Sequence, residues 1–338
     1  MKILNKLTQS CVVMASLAIT TLGLTSCGDI FHEHLEACPS GVCLRFVFDY
    51  NMEFANAFPS QVDCLTLLVY DASGNYVTKV TETSDVLADE NWRMTIDLPA
   101  GEYSFIAYGG MECRESSFHF VETPTDGSLI SELEVEMDSR CINANPGVDL
   151  HPLFYGDLNL SLAPEALTYT EATLYMMRDT HDIRILLQNV NGRPVNVEDY
   201  NFSITADNTL FNWQNNLLPT AKGITYSPWS KGQSTVGGTQ EGTETILAYA
   251  EFSTSRIMAG GSDRLLITNA NNGNKILSIP LAEYLLLYKS ERYAKMPAQE
   301  YLDRERQWNM ILFLQNGIWL DTEIVINDWI VRINNAHL

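Results

Sequence analysis

The chain is short of positive charge. Its 338 residues carry 21 Lys and Arg against 42 Asp and Glu, a formal net charge of -21 at pH 7. So acidic a surface repels phosphate backbones, which excludes nucleic acid as a partner. A long apolar run is also missing: the stretch from Cys11 to Leu24 has about a dozen residues of that character, whereas a spanning helix needs roughly 20. Catalytic signatures are absent too. There is no Gly-x-Ser-x-Gly elbow, no His-Glu-x-x-His and no Gly-x-x-x-x-Gly-Lys-Ser/Thr loop, so the chain is not expected to be an enzyme or to carry a cofactor. Without a Cys-x-x-Cys or a paired histidine spacing, no metal is expected either. His32-Glu33-His34 comes nearest, in a stretch too loose to fix a coordination geometry.

What is present begins at the N-terminus, where Lys2 and Lys6 precede the short apolar stretch as an export signal requires. Leu24-Thr25-Ser26-Cys27-Gly28 follows and resembles the lipobox of bacterial lipoproteins. The resemblance implies cleavage before Cys27 and lipid on its thiol, with residues 1–26 as signal and 27–42 as a lipidated tether. Two or more acyl chains suffice for stable anchoring where one does not. Losing Lys2 and Lys6 with the signal takes the net charge to -23.

Five cysteines remain beyond Cys11 and Cys27, all in the first half: Cys38, Cys43, Cys64, Cys113 and Cys141. In an oxidising compartment these are candidate disulfide cysteines. Cys38 and Cys43 could close over Pro39-Ser40-Gly41, and the odd number leaves one thiol free or paired between molecules.

With 46% hydrophobic residues the chain can bury a core, and its length suggests two domains. Period-2 alternation dominates, first at Leu44, Phe46 and Phe48. Leu65 to Tyr70, the turn Asp71-Ala72-Ser73-Gly74-Asn75, and Tyr76 to Val80 read as a hairpin. Met94 to Leu98 and Tyr103 to Tyr108 flank Pro99-Ala100-Gly101, and Leu133, Val135 and Met137 alternate with acidic residues. Further strands are predicted at Leu158 to Leu162, Ala172 to Arg178, Asp182 to Val190, Asn201 to Ala206 and Thr245 to Ser253, with hairpins about Asn271-Asn272-Gly273-Asn274 and Asn316-Gly317. Residues 207–243, rich in Asn, Gly, Ser and Thr, read as one long surface loop; the one convincing helix lies between Pro297 and Gln307. The pattern predicts an all-β protein of two antiparallel β-sandwich domains, 43–160 and 161–338.

Several segments are similar to one family. Val62-Asp63-Cys64-Leu65-Thr66-Leu67-Leu68-Val69-Tyr70-Asp71-Ala72-Ser73-Gly74, Leu98-Pro99-Ala100-Gly101-Glu102-Tyr103, Leu153-Phe154-Tyr155-Gly156 and Gln299-Glu300-Tyr301-Leu302-Asp303-Arg304 occur in this order. Together with the lipobox they resemble FimB-type fimbrial anchor lipoproteins of type V fimbriae, known from Bacteroidetes. The resemblance implies transthyretin-like sandwiches, lipid attachment at the outer membrane, and a fimbrillin-like shaft subunit as partner, held by strand complementation. After Trp329-Ile330-Val331-Arg332-Ile333 only five residues follow, which fits a subunit that accepts a strand and donates none. The other reading is a surface lipoprotein that binds a glycan or host ligand, with Trp213, Trp229, Trp308 and Trp319 as stacking candidates. Asp149, Asp157 and Asp179 are among many carboxylates and mark no glycosidase pair by themselves.

Overall fold

A computed structural model describes residues 40–163, 168–220, 222–236, 245–315, 318–326 and 329–333. Cys27, Cys38, His32-Glu33-His34, Gly237-Gly238-Thr239 and the Asn316-Gly317 turn lie outside those residues. The first part of the chain forms β1 (Gly41–Val47), α1 (Phe58–Gln61), β2 (Leu65–Asp71), β3 (Tyr76–Glu82), β4 (Met94–Asp97), β5 (Gly101–Gly109), β6 (Phe118–Phe120), β7 (Glu134–Met137) and β8 (Phe154–Leu162). There follow β9 (Thr170–Tyr175), β10 (Met177–Arg178), β11 (Thr180–Asn189), β12 (Tyr200–Ala206), β13 (Leu210–Asn212), β14 (Ile224–Tyr226), β15 (Ser230–Val236) and β16 (Thr245–Ser255). The remainder is β17 (Arg264–Asn269), β18 (Lys275–Pro280), α2 (Leu281–Leu286), α3 (Ala298–Arg304), β19 (Gln307–Gln315), β20 (Ile318–Ile326) and β21 (Trp329–Ile333).

The strands make a five-stranded sheet ordered β10-β8-β5-β2-β3, a six-stranded sheet β15-β16-β11-β19-β20-β21, a four-stranded sheet β14-β12-β17-β18, and the three-stranded sheets β4-β1-β9 and β13-β7-β6. Pairing is antiparallel except for β1 with β9 and β11 with β19. The architecture is therefore all-β, with few helices.

The five-stranded sheet is covered on both faces, which explains why β2 reads as an unbroken apolar run. Its Leu65, Leu67 and Val69 join Phe105 and Ala107 in a core with Leu44 and Phe46 of β1. Leu68 and Tyr70, on the opposite face, join Ile106 and Tyr108 in a second core that continues through Ile185, Phe252 and Leu312. That second core thus draws on both halves of the chain.

The β2–β3 hairpin closes as its residues dictate. Asp71 Oδ1 accepts the backbone N–H groups of Ser73 and Asn75, and Gly74 takes φ 78°, a conformation that costs other residues more. Pro99-Ala100-Gly101 does something different from a hairpin: β4 pairs with β1 and β5 with β2, so this turn carries the chain from one sheet to the next.

One expectation fails. Residues 207–243 are not one loop, because β13, β14 and β15 lie within them. β13 pairs with β7, β14 with β12 and β15 with β16. Two of these strands have three residues each, too few for a period to stand out against flanking Asn, Gly and Thr.

Candidate functional site

Helix α3 carries the Gln299-Glu300-Tyr301-Leu302-Asp303-Arg304 segment, and these side chains tie distant parts of the fold together. Pro297 precedes the first turn and Leu302 is fully buried. Gln299 Nε2 donates to the Ile257 carbonyl at 3.1 Å and to Asp303 Oδ1 at 2.8 Å, while its Oε1 accepts the Ala259 N–H at 2.8 Å. Tyr301 meets Trp308 edge-on, centroids 6.0 Å apart. Arg304, paired with Glu300 at 2.8 Å, reaches the first part of the chain: its guanidinium lies 4.0 Å from the Tyr50 ring centroid and 4.7 Å from that of Phe54. Phe54 has φ 53°, an unfavourable conformation for a bulky residue. Buried Asn51 fixes this loop by donating to the carbonyls of Phe48 and Ala55.

Beside α3 lies a buried charge network. Arg256 donates from Nε and Nη2 to the two oxygens of Asp303 at 2.8 and 2.7 Å, and from Nη1 to the Asn215 carbonyl at 3.0 Å. Asp179 Oδ1 accepts from Asn215 Nδ2 at 3.0 Å and stands 3.7 Å from Arg256 Nε. Burial raises the Asp179 carboxyl to about 7, against the lowering influence of Arg256 and Asn215. Two residues on, burial lowers His181 to about 3, assisted by Arg178 and Arg256; its Nδ1 accepts from Trp308 Nε1 at 3.4 Å.

These two groups act in opposite senses on stability. Between its ordinary value of 3.8 and about 7, Asp179 holds a proton in the fold that the unfolded chain releases, so stability falls as pH rises. Between 6.5 and about 3, His181 refuses a proton that the unfolded chain binds, so stability falls as pH falls. The effects offset one another from about pH 4 to 6.5, each with a slope near 1.4 kcal/mol per pH unit. Asp179→Asn should therefore show stability rising with pH across that window, and His181→Asn stability falling. Urea midpoints from pH 4 to 7 check both; parallel profiles for the two variants would contradict the assignment.

The cysteines occupy three settings. Cys64 and Cys113 are joined in a disulfide, with Cα atoms 5.8 Å apart. Cys141 is a buried free thiol whose pKa burial raises, and Cys43 is half-buried on β1 with no disulfide partner among the described residues. Asp63 and His151 flank the disulfide: His151 Nε2 is 3.0 Å from Asp63 Oδ1 and 3.7 Å from Cys113 Sγ. Ligating atoms of Asp63, Cys64, Cys113 and His151 fall within 4.8 Å of one another, but sulfurs bonded together lack the thiolate charge that holds a metal. Three separate chain segments supply this grouping, which no local spacing could reveal.

Of the tryptophans, Trp308 is buried, Trp213 and Trp319 are half-buried against the core, and Trp229 is 38% exposed. Asp157 is exposed and Asp179 fully buried, while Asp149 lines a cavity of about 510 Å³ with Trp229.

The sheets end in edge strands. Among the described residues, β21 pairs only with β20, and β15 only with β16. β3 pairs with β2, and on its outer side the Tyr76 N–H donates to the Ser128 carbonyl. Edge strands leave backbone donors and acceptors for another chain to complete. No helix among the described residues is long and apolar enough to cross a membrane.

Comparisons with known proteins agree on the family. No curated protein sequence matches the chain. A candidate adhesin from Bacteroides thetaiotaomicron, solved by crystallography, is 49% identical with a TM-score of 0.82, covering 89% of this chain and 100% of its own. A candidate polysaccharide-binding protein from the same organism is 28% identical with a TM-score of 0.73, covering 88% and 99%. The fimbrial anchor protein Mfa2 from Porphyromonas gingivalis shares the fold at 16% identity, with a TM-score of 0.64 and coverage of 87% and 99%. The family model for fimbrillin-A associated anchor proteins Mfa1 and Mfa2 matches residues 35–335, and the chain belongs to that family.

Proposed function

We propose that this protein is an outer-membrane fimbrial anchor, lipidated at Cys27, that holds a type V fimbrial shaft at the cell surface and so contributes to adhesion. The observation that carries the reading is the family match across residues 35–335, which spans both halves of the chain. The lipobox-like Leu24 to Gly28 supplies the attachment, with residues 27–42 as tether. Two transthyretin-like units, 43–160 and 161–338, form the body, and β9 and β10 extend sheets of the first unit. The partner is a fimbrillin-like subunit that adds a strand at an edge of the six-stranded sheet, where backbone hydrogen bonds give affinity and alternate side chains give specificity. Such an anchor has no catalytic task.

The test is cell fractionation with Cys27→Ala. The variant is expected in the medium together with shed fimbriae, because loss of the acylated thiol removes the membrane attachment. Fimbriae that stay on cells while the variant is secreted would rule the anchor role out.

A further inference from the structure

The cavity beside Trp229 has features the anchor role does not use. At about 510 Å³ it falls within the range of ligand pockets, about 300–1,000 Å³. The backbone that carries its rim aromatic is held from two sides. The Trp229 backbone N–H donates to the Glu251 carbonyl at 2.9 Å, and the Gly147 N–H donates to the Pro228 carbonyl at 3.0 Å. A Cβ on Gly147 would sit 1.8 Å from the Ser227 carbonyl oxygen, so this close approach requires glycine. The main chain at Trp229 is therefore fixed, and its side chain is 38% exposed.

The charges in the lining are largely spent on one another. Arg178 pairs with Asp182 at 2.9 Å, and Arg184 pairs with Glu251. Left over are the Asp149 carboxylate and the amides of Gln307 and Asn309, whose side chains bond to no other described residue. Asp149 is exposed, and partial desolvation with the nearby Asp182 raises its pKa. Three carboxylates against two guanidiniums leave the lining one negative charge, which disfavours anionic ligands. Planar groups with several donors and acceptors suit hydroxyl-rich ligands, and an exposed indole face suits the apolar C–H face of a sugar ring.

From this arrangement we infer that the cavity is a binding site for a neutral oligosaccharide, stacked on Trp229 and hydrogen-bonded by Asp149, Gln307 and Asn309. The site adjoins the β15 edge of the six-stranded sheet, at the opposite end of the strand order from β20 and β21, so loss of sugar binding here and loss of a shaft strand at 318–333 are distinguishable.

The experiment is isothermal titration of the mature lipoprotein, in a detergent without sugar, against maltohexaose, cellohexaose, xylohexaose and mannohexaose. A sulfated heparin hexasaccharide and a hexalysine peptide serve as charged comparisons. Saturable binding of at least one neutral sugar is expected, weakened about tenfold or more by Trp229→Ala. The double variant Gln307→Ala/Asn309→Ala should weaken it several-fold, and as both side chains are exposed it serves should Trp229→Ala fold poorly. Binding of no neutral sugar, or binding unchanged in the double variant, overturns the inference. Tighter binding of the heparin fragment overturns it as well, and tighter binding of hexalysine would make the pocket a dock for basic side chains.

Discussion

Replacing Arg256 with methionine is expected to destabilise the fold by about 3–5 kcal/mol, the cost of removing one partner from a buried ion pair. Both carboxylates it serves are buried: Asp303 is 4% exposed and Asp179 not at all. Methionine fills part of the volume but supplies none of the donors to Asp303 or to the Asn215 carbonyl. The position also explains why the effect should be large. Arg256 follows β16, Asp303 sits on α3, and Arg304 reaches Tyr50, so the loss loosens the contact between α3 and the first part of the chain. A urea titration checks this; a shift below about 1 kcal/mol would mean that the pair is solvated and of little consequence.

The second large effect is expected from Cys64→Ser combined with Cys113→Ser. The two residues are 49 apart in sequence, and the chain-entropy account assigns a closed loop of that size roughly 4 kcal/mol. Cys64 is 1% exposed, so its sulfur also contributes packing between β2 and the loop after β5. The loss should appear in the urea midpoint of the oxidised protein and shrink to the packing contribution when wild type is compared under a reductant. Equal stability in both conditions would show that the crosslink does not constrain the unfolded chain.

Much of the fold was legible because local chemistry and global pairing agree. The β2–β3 and β17–β18 hairpins follow from turns whose Asp, Asn and Gly accept their backbone geometry, and β7 from acidic residues alternating with Leu133, Val135 and Met137. The helix at 298–304 followed from its proline and early acid. Helix α2 was missed because Leu281-Ala282-Glu283-Tyr284-Leu285-Leu286 is apolar on nearly every side, so its period cannot distinguish helix from strand. Parallel pairing of β11 with β19 joins segments more than a hundred residues apart, and no local signal encodes it.

The candidate sites were less legible, since each depends on convergence. Trp229 could be named as a stacking residue, but nothing in its neighbourhood distinguishes it from buried Trp308. Asp179 read as one carboxylate among many, and only Asn215, Arg256 and Asp303 around it give it a distinct role. The odd cysteine count left the pairing of Cys64 open, because five thiols in a line of sequence carry no distances.

The anchor account is tested most directly by crosslinking in intact cells, followed by pull-down of the protein and mass spectrometry of the joined peptides. It predicts recovery of a fimbrillin-like shaft subunit, with crosslinks to residues in the edge region 318–333 of the six-stranded sheet. Recovery of polysaccharide-uptake proteins alone, with no shaft subunit joined to the chain, would contradict it.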